Sequence, residues 1–266
     1  MAKRARVISI SNQKGGVGKT STTLNLGAAL VNKGERVLLV DMDSQANCSK
    51  GLGIYLQHTD QSMRDCLTGP EEGIARLIRK TAIDGLELAP SHIYLSSVEL
   101  ELSAEVGGMR VLAVALEDVL DEYDHIIIDS PPSLGLLAVN CLMAADEVII
   151  PMEAEPYALD GMDALETTID KTRRRLAHNV ELLGVLATKF RQGTTLHSEL
   201  LKQLREYWQD KVFNTVIHLN IDVAAAAVDE LPVVITKPKS TAGQDYAALA
   251  EEVLEREKQS AGRNSQ

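Results

Sequence analysis

Aromatic side chains are scarce: one Trp, six Tyr and two Phe make up 3% of the 266 residues. Any core must therefore be aliphatic, and hydrophobic residues at 45% of the chain are enough to build one. An aliphatic interior suits a parallel sheet covered by helices. Cysteine is scarce too. Cys48, Cys66 and Cys141 are scattered and form no Cys-x-x-Cys. That excludes a disulfide framework or a paired-cysteine cluster and reads as reduced thiols in a cytoplasmic protein. No histidine stands at metal-ligand spacing from another His or Cys, which excludes a zinc site of the usual pattern. Positive charge is in deficit, with 27 Lys and Arg against 38 Asp and Glu and a net charge of −11. A generally basic nucleic-acid binder is excluded on bulk charge, so any contact with DNA needs a local patch. No apolar run is long enough to cross a bilayer. The basic start, Met1 to Arg6, is not followed by a signal-type apolar segment.

What is present is an alternation of strand and helix patterns from one end to the other. Short apolar runs predict strands at 7–11, 36–41, 86–90, 125–129, 147–151, 182–188, 212–217 and 232–235. Helical spacing appears at 21–30, at 62–80 with a break at Gly69-Pro70, at 93–121 with a break near Gly107-Gly108, and at 134–144. It returns at 158–177, 196–208 and 242–256. The pattern predicts an α/β fold, a doubly wound, mostly parallel sheet flanked by helices, with its ligand at the carboxyl ends of the strands. Residues 1–257 are expected to form one domain, and 258–266 a polar, disordered tail.

The organising stretch is Lys14-Gly15-Gly16-Val17-Gly18-Lys19-Thr20, followed by Ser21, between the first strand and the first helix. Strand, glycine loop and helix are the context of a phosphate-binding loop (P-loop). Its backbone N–H groups turn toward an anion, and the helix N-terminus adds partial positive charge. Lys19 is placed to reach the β- and γ-phosphates of ATP, and the Thr20 hydroxyl to hold Mg²⁺. One position departs from G-x-x-x-x-G-K-[ST]: Gln13 stands where glycine is usual, and a second lysine, Lys14, precedes the glycines.

Two acidic segments accompany the loop. Asp41-Met42-Asp43 closes the second strand, and period-two alternation puts both carboxylates on one side. Ile126-Ile127-Ile128-Asp129-Ser130-Pro131-Pro132 is a buried strand ending in an Asp suited to metal-bound water, followed by a stiff turn.

Asn12-Gln13-Lys14-Gly15-Gly16-Val17-Gly18-Lys19-Thr20 resembles the deviant Walker A loop of the ParA/MinD family of P-loop ATPases. The likeness extends through the segments at 41–47, 126–133, 134–140, 144–148 and 153–161. It implies that Lys14 crosses a dimer interface to the partner's nucleotide, that Asp43 orients the attacking water, and that Asp41 supports Mg²⁺ through its hydration shell. Departures accompany the likeness. Ser44 replaces a proline. His218, Leu219 and Asp222 replace Pro, Arg and Arg in the adenine-side loop, and Glu230-Leu231-Pro232 stands for Gly-Lys-Pro.

Several branches of the family are disfavoured by missing features: paired cysteines, a basic amphipathic C-terminal helix for membranes, a tyrosine cluster, an N-terminal DNA-binding domain. The remaining resemblance is to chromosomal, Soj-like ParA partition ATPases. It implies slow ATP hydrolysis stimulated by a partner and DNA, an ATP-dependent homodimer, a ParB-like or adaptor partner, and non-specific DNA binding at the nucleoid. Lys237 and Lys239, then Arg173, Arg174 and Arg175, are the candidate DNA contacts. The alternatives are positioning of a non-DNA cargo and activation of a small molecule.

Overall fold

The computed structural model describes residues 4–69, 72–153 and 178–263, with 167, 170 and 174 between them. Side chains are described through 260. Eight strands form one sheet: β1 (Arg6–Ile10), β2 (Val37–Asp41), β3 (Arg79–Lys80), β4 (Leu86–Ala89), β5 (His125–Asp129), β6 (Glu147–Glu153), β7 (Glu181–Phe190) and β8 (Val212–His218). Their spatial order is β3-β4-β2-β5-β1-β6-β7-β8. Every pairing is parallel except that of the two-residue β3 with β4.

Each central strand is apolar on both sides, so the sheet divides an aliphatic core in two. Ile126 and Ile128 of β5, with Leu38 and Val40 of β2, face one cluster. Ile127, Leu39 and Ile8 face the other. The first cluster is closed by α3 (Met63–Thr68), α4 (Val98–Ala104), α5 (Val111–Leu116), α6 (Leu136–Ala144) and α7 (Thr195–Trp208). The second is closed by α1 (Lys19–Val31) and the C-terminal helix. Full burial of one such aliphatic side chain contributes about 1.5–3 kcal/mol. Gly27 lets α1 approach the sheet, because a Cβ there would lie 2.7 Å from Leu39 Cδ2. That approach fixes the start of α1, and the loop before it, above the strand ends.

Three expectations change on the structure. Residues 232–235 are not a strand. Val233–Thr236 forms a helical turn, α9, after α2 (Asn47–Lys50) and α8 (Ile221–Val228) in the chain. Pro232 starts it, and Val234 N–H donates to Asn25 Oδ1 of α1 at 3.2 Å. Tertiary burial of Val233 and Val234 outweighs the strand preference of β-branched residues. The final helix, α10, runs Thr241–Arg263, so helix covers 258–263 where a frayed tail is expected. Among the described residues of 62–80, the elements are the short α3, a 3₁₀ turn at Ala75–Leu77 and β3. Of the helix expected at 158–177, residues 167, 170 and 174 are described, each as helix, and the rest lies outside the described residues.

The edge strand β8 is covered by carboxylates of α10. Glu252 accepts Asn214 N–H and Thr215 N–H at 2.8 Å each, and Asp245 accepts His218 N–H at 2.9 Å. An edge whose donors are satisfied in this way offers little template for pairing with another chain.

Candidate functional site

The strand register brings the acids together. Asp41 of β2 lies directly beside Asp129 of β5, and Asp129 pairs in turn with Ile10 at the end of β1. The loop from Lys14 to Gly18 leaves β1 and crosses above them. Gly16 and Gly18 have φ of 77° and 92°, left-handed values that suit only glycine without strain. A Cβ on Gly16 would meet nothing within 4 Å, so this side of the loop is open to solvent rather than packed against protein. Asn12 ties the loop down: its Oδ1 accepts Lys14 N–H at 2.9 Å, and its Nδ2 donates to Pro151 O at 2.8 Å. Thr188 of β7 anchors the other side, donating from Oγ1 to Val17 O at 2.8 Å.

Lys19 and Lys14 occupy different environments. Lys19 is buried, and its ammonium donates to Lys14 O at 3.2 Å. Burial lowers its pKa, while Asp129 and Asp43 pull the other way. Lys14 is exposed on the rim of the loop. Asp43 is half-buried, and its Oδ1 accepts Gln45 N–H at 3.0 Å.

Thr20 Oγ1 donates to Asp129 Oδ2 at 2.8 Å, and Thr23 Oγ1 lies 3.4 Å from Asp129 Oδ1. Adjacent oxygens on an octahedral ion with bonds of about 2.1 Å sit roughly 3 Å apart, so Thr20 and Asp129 fit Mg²⁺. Asp41 is already committed. Its Oδ2 accepts Ser49 N–H at 2.9 Å and Ser49 Oγ at 2.7 Å, and its Oδ1 accepts Asp43 N–H at 3.2 Å. It would therefore serve a metal through water, with Thr20 and Asp129 as the nearer oxygens. All of these are hard oxygen donors, the set Mg²⁺ prefers.

Two adjacent buried carboxylates carry a cost that a cation would remove. Burial pushes Asp41 up to about 6, with its hydrogen bonds opposing. Burial, then the Asp41 charge, pushes Asp129 well above the carboxylate range. Because the folded pKa lies above the unfolded one, the native state binds more protons between the two values. Stability therefore falls as pH rises through that window. In metal-free, nucleotide-free protein, Asp129→Asn is expected to stabilise by on the order of 2 kcal/mol at pH 7.5. The gain should shrink as pH falls from the raised Asp129 value toward the ordinary carboxylate range, where the unfolded chain is protonated too. Thermal unfolding of both proteins in EDTA across pH checks this, and an Asp129→Asn protein less stable at pH 7.5 contradicts it.

Thr23 and Ser49 escape the sequence reading, as do the anchoring bonds of Asn12 and Thr188 to the loop. Thr23 had a signal, since it lies one helical turn beyond Lys19 and Thr20. Ser49 reaches Asp41 only because α2 folds back over β2, which no local pattern announces.

Of the basic candidates, Lys237, Lys239 and Arg174 are described. Lys237 Nζ lies 2.6 Å from Asp222 Oδ1, so the cation expected to contact phosphate is already paired. Lys239 is exposed. Arg174 is exposed and 3.8 Å from Asp170, while Arg173 and Arg175 lie outside the described residues. His218, in place of the family's proline, is held by Asp245, with Nδ1 2.9 Å from Oδ2. Among the described residues, no helix is long and apolar enough to cross a membrane.

Comparison with known proteins agrees with this geometry. A family model described as an AAA domain matches residues 5–182. The chain is 40% identical over 248 residues to the sporulation initiation inhibitor protein Soj of Bacillus subtilis, covering 93% of this chain and 98% of Soj. It is 40% identical over 259 residues to the chromosome partitioning protein ParA of Caulobacter vibrioides, covering 97% of each. Among solved structures, cobyrinic acid a,c-diamide synthase from Mycobacterium smegmatis with bound ADP and magnesium superposes with a TM-score of 0.83 at 31% identity, covering 96% of both chains. With two lysines in its phosphate loop, paired acids at the strand ends and this likeness along nearly its whole length, the chain belongs to the ParA/MinD family of P-loop ATPases.

Proposed function

We propose that the protein is a ParA-type partition ATPase. In this reading it binds ATP with Mg²⁺, closes into a dimer around two nucleotides, holds DNA without sequence preference, and hydrolyses ATP slowly until a ParB-like partner stimulates it. The observation that carries the reading is the separation of the two lysines. Lys19 is buried within its own loop, and Lys14 stands exposed on the rim, where in this reading it meets the nucleotide held by a second copy. Likeness to Soj and ParA at 40% identity supports partition over small-molecule activation, which draws on the synthase at 31%.

DNA binding is the part of the proposal that charge opposes most. A chain at −11 repels phosphate on average. Dimerisation doubles any local patch, and counterion release makes affinity rise steeply with each phosphate neutralised. Asp222 holds Lys237 out of that count. With a non-hydrolysable ATP analogue, binding to unrelated DNA duplexes across a salt series is expected to be sequence-indifferent and salt-sensitive. Lys237→Glu with Lys239→Glu should weaken it at least about tenfold without affecting dimerisation, and Asp222→Asn should strengthen it and steepen the salt slope by about one phosphate. An ATP-locked dimer that ignores DNA at low salt removes nucleoid tethering from the proposal and favours a non-DNA cargo.

A further inference from the structure

A cavity of about 610 Å³ opens at the amino ends of β6, β7 and β8, the opposite end of the sheet from the phosphate loop. Its walls are the starts of those strands, residues 209–211 and the later turns of α10. The volume suits a small molecule. Charges of both signs line it, but the two signs are used differently.

The cations are turned into the protein. The Arg256 guanidinium lies 4.2 Å from the centre of the Phe213 ring and donates to Leu183 O at 3.0 Å, Val212 O at 2.7 Å and Glu252 Oε1 at 2.9 Å. Arg205 donates to Asn214 O at 3.3 Å, and Lys211 to Leu182 O at 3.5 Å. The carboxylates are less committed. Glu181, Asp210 and Glu255 are exposed, and among the described residues their side chains make no hydrogen bond or ion pair. Glu147 is only 2% exposed and forms part of the cavity floor. Arg6 pairs with its Oε1, while its Oε2 has no partner among the described residues. Burial raises this carboxyl above its ordinary value even with Arg6 beside it. A buried carboxylate oxygen without a partner is costly, and a charged donor offsets that cost best.

We propose that this cavity binds a linear aliphatic polyamine, with one ammonium on Glu147, others on the rim carboxylates, and methylene spacers along Leu182, Leu183 and Val212. The spread of the acids disfavours a metal ion. Among the described residues, no three His, Cys, Asp or Glu side chains could together hold one. Carboxylates distributed around a wall match instead a cation whose charges are spaced along a chain. An anion would meet free carboxylates and cations already bonded to carbonyl oxygens. A bound polyamine would fasten the later turns of α10 to the strand starts. No residue of the phosphate loop takes part, so the site stands apart from the partition reading.

The test is isothermal titration calorimetry of the full chain with spermidine, in about 150 mM salt so that general attraction to an acidic surface is screened. Saturable binding of one spermidine per chain is expected. Glu181→Gln/Glu255→Gln, at exposed positions on the cavity rim, should weaken it about tenfold or more. Glu117→Gln/Asp121→Asn removes the same charge from exposed positions elsewhere and should change affinity by less than about twofold. Equal weakening by the two pairs overturns the site and leaves only attraction of amines to an acidic chain. Absence of saturable binding to the wild type overturns it too. Hydrogen exchange on the wild type locates the site without any substitution. Spermidine should slow exchange at 181–183 and 252–260, and slowing confined to other residues overturns the assignment. Neither readout depends on ATP, so failure of the partition reading would leave both results standing.

Discussion

Lys19→Ala is expected to abolish ATP hydrolysis, with a loss of at least about a hundredfold, while the protein stays folded. Lys19 is the buried cation of the loop, and the Asp129 and Asp43 charges act on it. Without it, the negative charge that develops on the transferred phosphoryl group loses the loop's own buried cation and is left to Mg²⁺ and backbone dipoles. Nucleotide affinity should fall as well, because a triphosphate placed over Asp41 and Asp129 then lacks its main protein counter-charge. Asp43→Ala should behave differently. Asp43 is half-buried beside the loop, and in our reading it orients water rather than holding phosphate. That variant should bind ATP normally and fail to turn it over. A fluorescent-nucleotide titration beside a phosphate-release assay separates the two, and a Lys19→Ala protein with wild-type turnover contradicts the assignment.

The contrast between these two variants follows from features legible before any fold was known. The glycine loop with Lys19 and Thr20, and the acids at 41, 43 and 129, were marked by their places at or just past the ends of apolar strands, while the roles expected of Lys14, Asp41 and Asp43 came from the family resemblance. Seven strand segments were legible for the same reason: strands buried on both faces are nearly continuous aliphatic runs. The segment at 232–235 looks identical in sequence, yet Val233 and Val234 are buried as a helical turn against α1, a choice made by a contact with Asn25 more than two hundred residues away. Ser49 was invisible likewise, since it reaches the site only through the folded arrangement. The Asp222–Lys237 pair shows the limit for charge. Sequence marks both as departures or candidates, but only the fold reveals that one neutralises the other.

Lys14→Ala is expected to leave a protein that binds nucleotide but no longer dimerises with it. Two nucleotide triphosphates brought face to face repel strongly, and a cation reaching across from each side is needed to offset that repulsion. Lys14 is exposed where Lys19 is buried, so removing it should not disturb the loop's own nucleotide. Its backbone N–H bond to Asn12 is independent of the side chain and survives the substitution. Sedimentation velocity with Mg²⁺ and a non-hydrolysable ATP analogue tests the central claim most directly, run on wild type and Lys14→Ala with a fluorescent analogue to report occupancy. The account predicts a wild-type dimer with the analogue, a monomer with ADP, and a nucleotide-loaded Lys14→Ala monomer under both conditions. A Lys14→Ala protein that dimerises at the wild-type concentration, or a wild type that stays monomeric with bound analogue, would contradict it.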